Sequence, residues 1–258
     1  MKNASFRVLG VRVDAVQIPD VVEVMSQWIA EPGGCRSIAA TAMHGLLEAK
    51  RDPQFRRALD STDMVVADGT PLVLIGRRRG HDLPRRVYGP ELMATFCRET
   101  GPAYSHYLYG AGPGVAGRLG EVLHNRHGCR IAGFSTPPFG EPSESELDQA
   151  VEHINACSPD VLWVGLSSPK QERFISSVKE SLGCPVAVSV GAAFDFIAGT
   201  KSSAPRWMQE HGMEWFYRLS REPRRLWRRY LIGGPQFLWY VATDRGPLID
   251  PPANSPLR

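Results

Sequence analysis

The apolar positions change period along the chain. From Phe6 to Ile29, "FRVLGVRVDAVQIPDVVEVMSQWI" gives two short strand-like runs and then apolar residues at helical spacing, started by Pro19 and Asp20. "SIAATA" predicts a strand of small residues, "MHGLLEAKRDPQFRRALDST" a helix broken near Pro53, and "DMVVADGTP" a buried strand ending in a turn. A helix is expected from Pro90 to about Glu99, after the patch Arg77 to Arg79. "SHYLYGAGPGVAGRLGEVLHNRHG" then reads strand, glycine turn, helix, and "CRIAGFS" returns as a strand. Residues Glu144 to Gly199 repeat helix, strand, helix, strand. Strands alternating with helices predict an α/β protein with a mostly parallel sheet.

In open parallel sheets ligands sit beyond the carboxyl ends of the strands. That rule directs attention to Thr41, Asp68, the glycines from Gly110, the loop Ser167 to Glu172, and Asp195.

Charge sharpens the picture at one end only. The net charge of the 258 residues is +3, yet residues 201 to 231 hold eight basic side chains against three acidic ones, which leaves the remainder at −2. A basic excess in one terminal segment, "EWFYRLSREPRRLWRRYL", suits an anionic partner: nucleic acid, a membrane surface or a phosphorylated substrate. From Arg224 on, ideal helical geometry puts Arg224, Arg225, Arg228 and Arg229 on one arc and Leu226, Trp227, Tyr230 and Leu231 on the other, with Pro223 in the first turn. The same pattern fits a helix docked on the core with a solvated basic face.

The five cysteines are odd in number and widely spaced, with no C-x-x-C pair and no His at zinc-ligand spacing, which predicts reduced thiols in the cytosol. The opening "MKNASFRVLG" has no apolar core of signal-peptide length, and no segment reaches the roughly 18 apolar residues of a membrane span. Any membrane role is expected to be peripheral. The closing "RGPLIDPPANSPLR" is expected to be a disordered tail.

Each strand end carries two readings. Gly112, Gly114 and Gly117 fit G-x-G-x-x-G between a strand and a helix, but the acidic residue expected about 20 positions later to hold a ribose is missing. A structural turn or a generic phosphate cradle therefore ranks above NAD binding. Asp68 is a candidate general base, desolvated at a strand end, or the head of an Asx-turn. In "SSPKQE", Ser167 or Ser168 is the expected N-cap and Pro169 the first helical residue, while Lys170 and Gln171 suit sugar hydroxyls and phosphate and Glu172 a capping box. Asp195, between Phe194 and Phe196, suits ribose or base donors, or backbone N–H groups of its own loop. His124 and His127 read as solvated surface. No D-x-D, no Walker A sequence and no G-x-S-x-G elbow is present.

Five of these stretches occur in an order that resembles the WecB/TagA/CpsF family of bacterial glycosyltransferases, over about residues 8 to 232. They are Thr41 before "DPQFRRAL", "ADGTPLV" with Asp68, "RVYGPEL" with Arg86 and Gly89, "SPKQERF" with Gln171 and Glu172, and "VGAAFDFIAG" followed by the arginine segment. The resemblance implies a Rossmann-like sheet with helices on both faces. It implies inverting transfer of a sugar from a UDP-sugar to a lipid-diphosphate-linked glycan at the inner membrane face, with no metal and no cofactor.

By the same resemblance Asp68 is the base, and Thr41 and Arg86 belong to the acceptor and diphosphate pocket. Gly110, Gly112, Gln171, Glu172 and Asp195 contact the donor. Arg218, Arg221 and Arg224 stabilise the leaving group, and Arg225, Arg228 and Arg229 touch anionic lipid. The expected units are residues 1–205 as the catalytic domain, 206–243 as a basic helical appendage, and 244–258 as the tail. Nucleic acid is not an expected partner, and homo-oligomerisation stays open. Met43 stands where many members have asparagine, and "GAAFD" replaces the commoner Gly-Gly form; the first difference bears on the acceptor sugar. An NAD-dependent oxidoreductase and a non-enzymatic anionic-lipid or nucleic-acid binder are the rival readings.

Overall fold

The computed structural model describes residues 4–31, 33–138, 140–205, 207, 208 and 212–244. The expected tail therefore lies, from residue 245 on, outside the described residues, as does Arg206.

The alternation of periods builds an eight-stranded sheet in the order β1-β2-β4-β3-β8-β7-β5-β6. Strands β1 (Ser5–Val8) and β2 (Val11–Asp14) form the antiparallel hairpin expected at the start, and β2 joins β4 in parallel. The others, β3 (Arg36–Thr41), β4 (Met64–Ala67), β5 (Ser105–Gly110), β6 (Arg130–Ser135), β7 (Val161–Gly165) and β8 (Val186–Ser189), pair in parallel throughout. The chain steps from β3 outward to β4, crosses to β5 and β6, and then fills β7 and β8 back to β3. This reversal opens a crevice at the carboxyl ends of β3, β4, β7 and β8, where a doubly wound sheet takes its ligand.

Helices cover both faces. Helices α1 (Ile18–Ala30), α5 (Gly89–Thr100), α6 (Val115–His127) and α9 (Ala193–Ile197) bury Val21, Met25, Phe96, Leu119 and Phe194 against one face, around Trp163. Helices α2 (Met43–Arg51), α3 (Pro53–Asp60), α7 (Glu144–Ala156) and α8 (Lys170–Val178) bury Leu46, Phe55, Ile154 and Phe174 on the other. Helix α4 (Thr70–Arg78) places Leu72 and Ile75 beside Phe6 of the hairpin. Burial from both sides explains why "MVVA" and "VLWVG" are apolar without alternation, since every residue of β4 and β7 is buried. The break near Pro53 has a local cause: the Asp52 carboxylate accepts from the Gln54 and Phe55 N–H groups and starts α3 with Pro53 in its first turn.

The C-terminal segment departs from the single helix expected from Arg224. Helix α10 (Glu214–Arg221) ends at Glu222, whose φ of −131° and ψ of 57° leave the helical region ahead of Pro223. A short helix α11 (Pro223–Trp227) runs into a π-helical turn (Arg228–Ile232) and then α12 (Gly233–Thr243). A π turn rotates each residue less than an α turn does, so the arc of arginines is split. Leu226 is buried, whereas Trp227 and Leu231, expected beside it, are exposed. Phe237 of α12 is fully buried against Leu46, Leu47 and Phe55, and Lys50 lies 4.9 Å from the centre of the Tyr240 ring. The appendage is thus docked on α2.

All five cysteines are free thiols. At the end of the sheet opposite the crevice, ligand atoms of Cys97, His106 and Cys129 lie within 4.8 Å of one another, a cluster the sequence spacing does not reveal. Trp163 Nε1 donates to His106 Nδ1 at 3.1 Å. The ring proton therefore sits on Nε2, the one nitrogen left for a metal, and the group reads as buried packing. Among the described residues no helix is long and apolar enough to cross a membrane.

Candidate active site

Asp68 follows the last residue of β4, and its N–H donates to Thr41 O at 2.9 Å, fixing it to the end of β3. Its Oδ1 is sealed from solvent without a hydrogen-bond partner, while the residue as a whole is only half-buried. Burial pushes the carboxyl up to about 7; Arg86, Arg218 and the Gly89 N–H pull it down, and the Glu214 charge pushes it up. Gly89 reaches this position because a Cβ there would lie 2.8 Å from Val190 O. A carboxyl titrating near neutrality is substantially deprotonated at working pH and still basic enough to take a proton.

Around it stand six side chains from distant parts of the chain. Glu214, buried in the first turn of α10, accepts from Arg86 and, at 3.2 Å, from the Tyr88 hydroxyl, with Arg218 at 4.0 Å. The Arg86 guanidinium also covers the Tyr88 ring at 4.1 Å. Arg229 donates to His44 Nδ1 at 2.5 Å. Burial, and the Arg229 and Arg218 charges, push the His44 pKa well below its ordinary value. Burial likewise lowers Arg229, to about 10.

These residues form a wall between two clefts. The first, about 650 Å³, runs over the ends of β7 and β8 and is cationic: Arg51, Lys201, Arg218, Arg225, Arg228 and Arg229 line it. The second, about 510 Å³, lies between α4 and the appendage and is largely apolar, with Met43, Leu74, Trp215, Leu231, Phe237 and Leu238 in its lining. Asp68, His44, Tyr88, Arg218 and Arg229 line both. One cleft suits a diphosphate, the other a hydrocarbon, and a carboxylate stands where they meet.

The residues singled out from the sequence divide as follows. Asp68, Gln171, Asp195, Arg218, Arg225, Arg228 and Arg229 line the cationic cleft, and Arg86 the apolar one. Gln171 is held rigidly: its Oε1 accepts from Gly191 N at 2.9 Å and its Nε2 donates to Glu172 Oε1 at 2.9 Å. Asp195 pairs with Lys201 at 3.4 Å and accepts from the Thr200 hydroxyl at 3.0 Å.

Thr41 and Glu172 are buried, line neither cleft, and each keeps an unpartnered oxygen. Burial raises the Glu172 pKa. Gly110 and Gly112 also line neither; a Cβ on Gly110 would meet Gly165 backbone at 2.7 Å, so that glycine serves the close approach of β5 to β7. Arg221 lies along Tyr217 and the exposed Arg224 lines neither cleft, so of the three arginines expected at the leaving group only Arg218 lines the cationic cleft, together with Arg51, Arg225, Arg228 and Arg229. The expected N-cap shifts as well: Pro169 itself is the N-cap of α8, and neither serine side chain caps it. His44, Tyr88 and Glu214 were not singled out. Their signal is tertiary, since Glu214 meets Arg86 only across a sequence separation of 128.

The sheet order and the crevice at its carboxyl edge define a doubly wound, Rossmann-like α/β protein with its site at the strand reversal. The chain belongs to the glycosyl transferase WecG/TagA/CpsF family, whose sequence model matches residues 6–248. It is therefore a glycosyltransferase. It is 31% identical over 186 residues, 71% of this chain and 70% of the relative, to the N-acetylglucosaminyldiphosphoundecaprenol N-acetyl-beta-D-mannosaminyltransferase of Bacillus spizizenii. The protein of the same name from Staphylococcus aureus is 25% identical over 242 residues, 93% of each chain.

Proposed function

We propose that this glycosyltransferase moves a sugar, with inversion, from a UDP-sugar to a polyprenyl-diphosphate-linked glycan. The observation that carries the reading is the position of Asp68, at the one wall shared by a cationic and an apolar cleft. The names of the relatives support it, since they describe transfer of an N-acetylmannosaminyl group to a GlcNAc-diphosphoundecaprenol.

In this reading the UDP moiety lies in the cationic cleft, where Asp195 and Gln171 meet the nucleoside end and the arginines meet the diphosphate. The acceptor lipid leaves along the apolar cleft. The Asp68 carboxylate takes the proton of the acceptor hydroxyl as its oxygen bonds to the anomeric carbon. The bond from that carbon to the UDP oxygen breaks on the opposite face, and the charge that develops on the leaving diphosphate is met by Arg218, Arg225, Arg228 and Arg229. Arg86, neutralised by Glu214, sets the field at Asp68 more than it binds anion.

The exposed Trp215, Leu231 and Leu238 line the apolar cleft and, with the exposed Trp239 next to Leu238 in sequence, suit insertion into the headgroup boundary of the inner membrane leaflet, where the acceptor lipid resides. The units proposed are a catalytic domain up to residue 205 and an appendage from 206 to 243 that completes both clefts. The test is a transfer assay with a panel of UDP-sugars on a synthetic GlcNAc-diphosphate-polyprenol in detergent. Transfer by the wild-type chain, with UDP released in equal amount, is expected. No transfer from any UDP-sugar in a panel that includes UDP-N-acetylmannosamine, together with no UDP binding, would remove the reading.

A further inference from the structure

His44 stands beside Asp68 on the wall between the clefts, yet the reaction written above does not use it. An Arg guanidinium only donates, so at 2.5 Å the His44 Nδ1 must be the acceptor from Arg229. The single proton of the neutral ring is then on Nε2. The ring is kept neutral by burial and by the Arg229 and Arg218 charges. The residue is half-buried and lines both clefts, and no protein acceptor meets Nε2 among the described residues. His44 thus presents one fixed N–H donor at the point where the two substrates must approach each other.

On the reading above, we infer that His44 is a substrate-contacting residue, its Nε2–H donating to an oxygen of a sugar at the junction of the two clefts. Arg229 is the group that orients it, because Arg229 consumes the other nitrogen and so fixes both ring direction and tautomer. The arrangement also gives Arg229 two roles, a cation lining the diphosphate cleft and a clamp on the donor, so occupation of one cleft is felt in the other. The sugar oxygen belongs either to the donor or to the acceptor. A neutral donor suits a hydroxyl or an amide carbonyl in either case, and a phosphate much less, since the arginines outcompete it for charge.

Two substitutions separate this contact from mere support of Arg229. His44→Gln keeps an oxygen that accepts from Arg229 and an N–H₂ that donates, whereas His44→Leu keeps bulk alone. Both proteins are first compared with the wild type for melting temperature and for UDP affinity. Expected is a loss in kcat/KM on the order of tenfold for His44→Leu, the size of one hydrogen bond to an uncharged group, and recovery of most of it in His44→Gln. The loss will appear in the KM for the donor if the sugar oxygen is the donor's, in the KM for the acceptor if it is the acceptor's, and in kcat if the bond forms only in the transition state. His44→Leu with wild-type kcat and both wild-type KM values would overturn the contact. So would equal losses in both variants accompanied by weakened UDP binding, which would show that His44 acts only by holding Arg229. A wild-type protein that transfers no sugar from any donor would instead take down the reading on which the contact rests, and the contact with it.

Discussion

Arg86, ahead of α5, is ion-paired to Glu214 in the first turn of α10, which ties the strand-end loops to the C-terminal appendage beside Asp68. The pair is largely buried and its two charges act on Asp68 in opposite senses, Arg86 lowering its pKa and Glu214 raising it. Taking away the Glu214 charge therefore leaves the Arg86 and Arg218 charges unopposed by it at Asp68. In Glu214→Gln the Asp68 pKa falls, and a weaker base is left at the site. A base works deprotonated, so wild-type kcat/KM is expected to rise with pH through about 7 and level off above it. In the variant that limb moves to lower pH and the plateau drops. A pH profile of kcat/KM from 5 to 9 checks it; an unmoved limb would show that the pair does not act on the base.

Asp68→Asn removes the base while keeping its shape. Turnover is expected to fall by roughly the 10²–10⁴ of general-base catalysis, with UDP affinity kept. The stability change has a defined sign. The folded pKa of about 7 lies above the ordinary 3.8, so the cost of charging Asp68 in the fold is absent below 3.8, grows between the two values and is complete above 7. Asparagine carries no such cost, so the melting temperature of the variant should gain on the wild type at pH 8 and show a smaller difference at pH 4. Melting curves at the two pH values decide it, and a variant less stable at pH 8 than at pH 4, relative to wild type, would contradict the burial argument.

Much of this site was readable in the sequence because strand ends are local. The runs ending at Thr41, Asp68, Gly110 and Gly165 announce themselves by apolar period, and the doubly wound rule then says where to look. What pattern does not carry is which side of a terminal helix faces the protein. An ideal period put Arg228 and Arg229 on one arc with Arg224 and Arg225, opposite Leu231, but the π turn at Arg228–Ile232 brings Arg229 onto His44 and leaves Leu231 exposed. The buried partners of Arg86 and His44 were invisible for a different reason. Each pairing joins residues more than a hundred positions apart, and no local pattern around Arg86 or Arg229 says which distant side chain it meets.

The cationic cleft makes a statement about metal. Five arginines and a lysine line the cleft assigned to the diphosphate, and the sequence has no D-x-D to hold a divalent ion beside it. Positive charge supplied by side chains needs no added cation to stabilise the leaving group. Transfer is expected to persist in excess EDTA at its rate in buffer alone. Inactivation by EDTA with recovery in manganese would mean that a metal, and not Arg225 and Arg228, carries the leaving-group charge.

For membrane attachment the structure changes the kind of force expected. Arg225, Arg228 and Arg229 line the cationic cleft, while Leu231, Leu238 and Trp239 are 58, 66 and 68% exposed. Apolar side chains of this size contribute about 1.5–3 kcal/mol each when buried, against about 1 kcal/mol for a charge near an anionic surface. Binding should then survive on vesicles of neutral lipid. Leu231→Ser, Leu238→Ser and Trp239→Ser combined are expected to lower vesicle partitioning on the order of a hundredfold, and Arg224→Gln by less than tenfold. Cutting the chain after Gly212 is a poorer test, because it strips Phe237 from its pocket against Leu46 and Phe55, a loss of about 3–5 kcal/mol in its own right. Co-sedimentation with neutral and with anionic vesicles, at two salt concentrations, measures both contributions. Binding confined to anionic vesicles and abolished by salt, with the triple variant behaving as wild type, would return the membrane contact to the arginines.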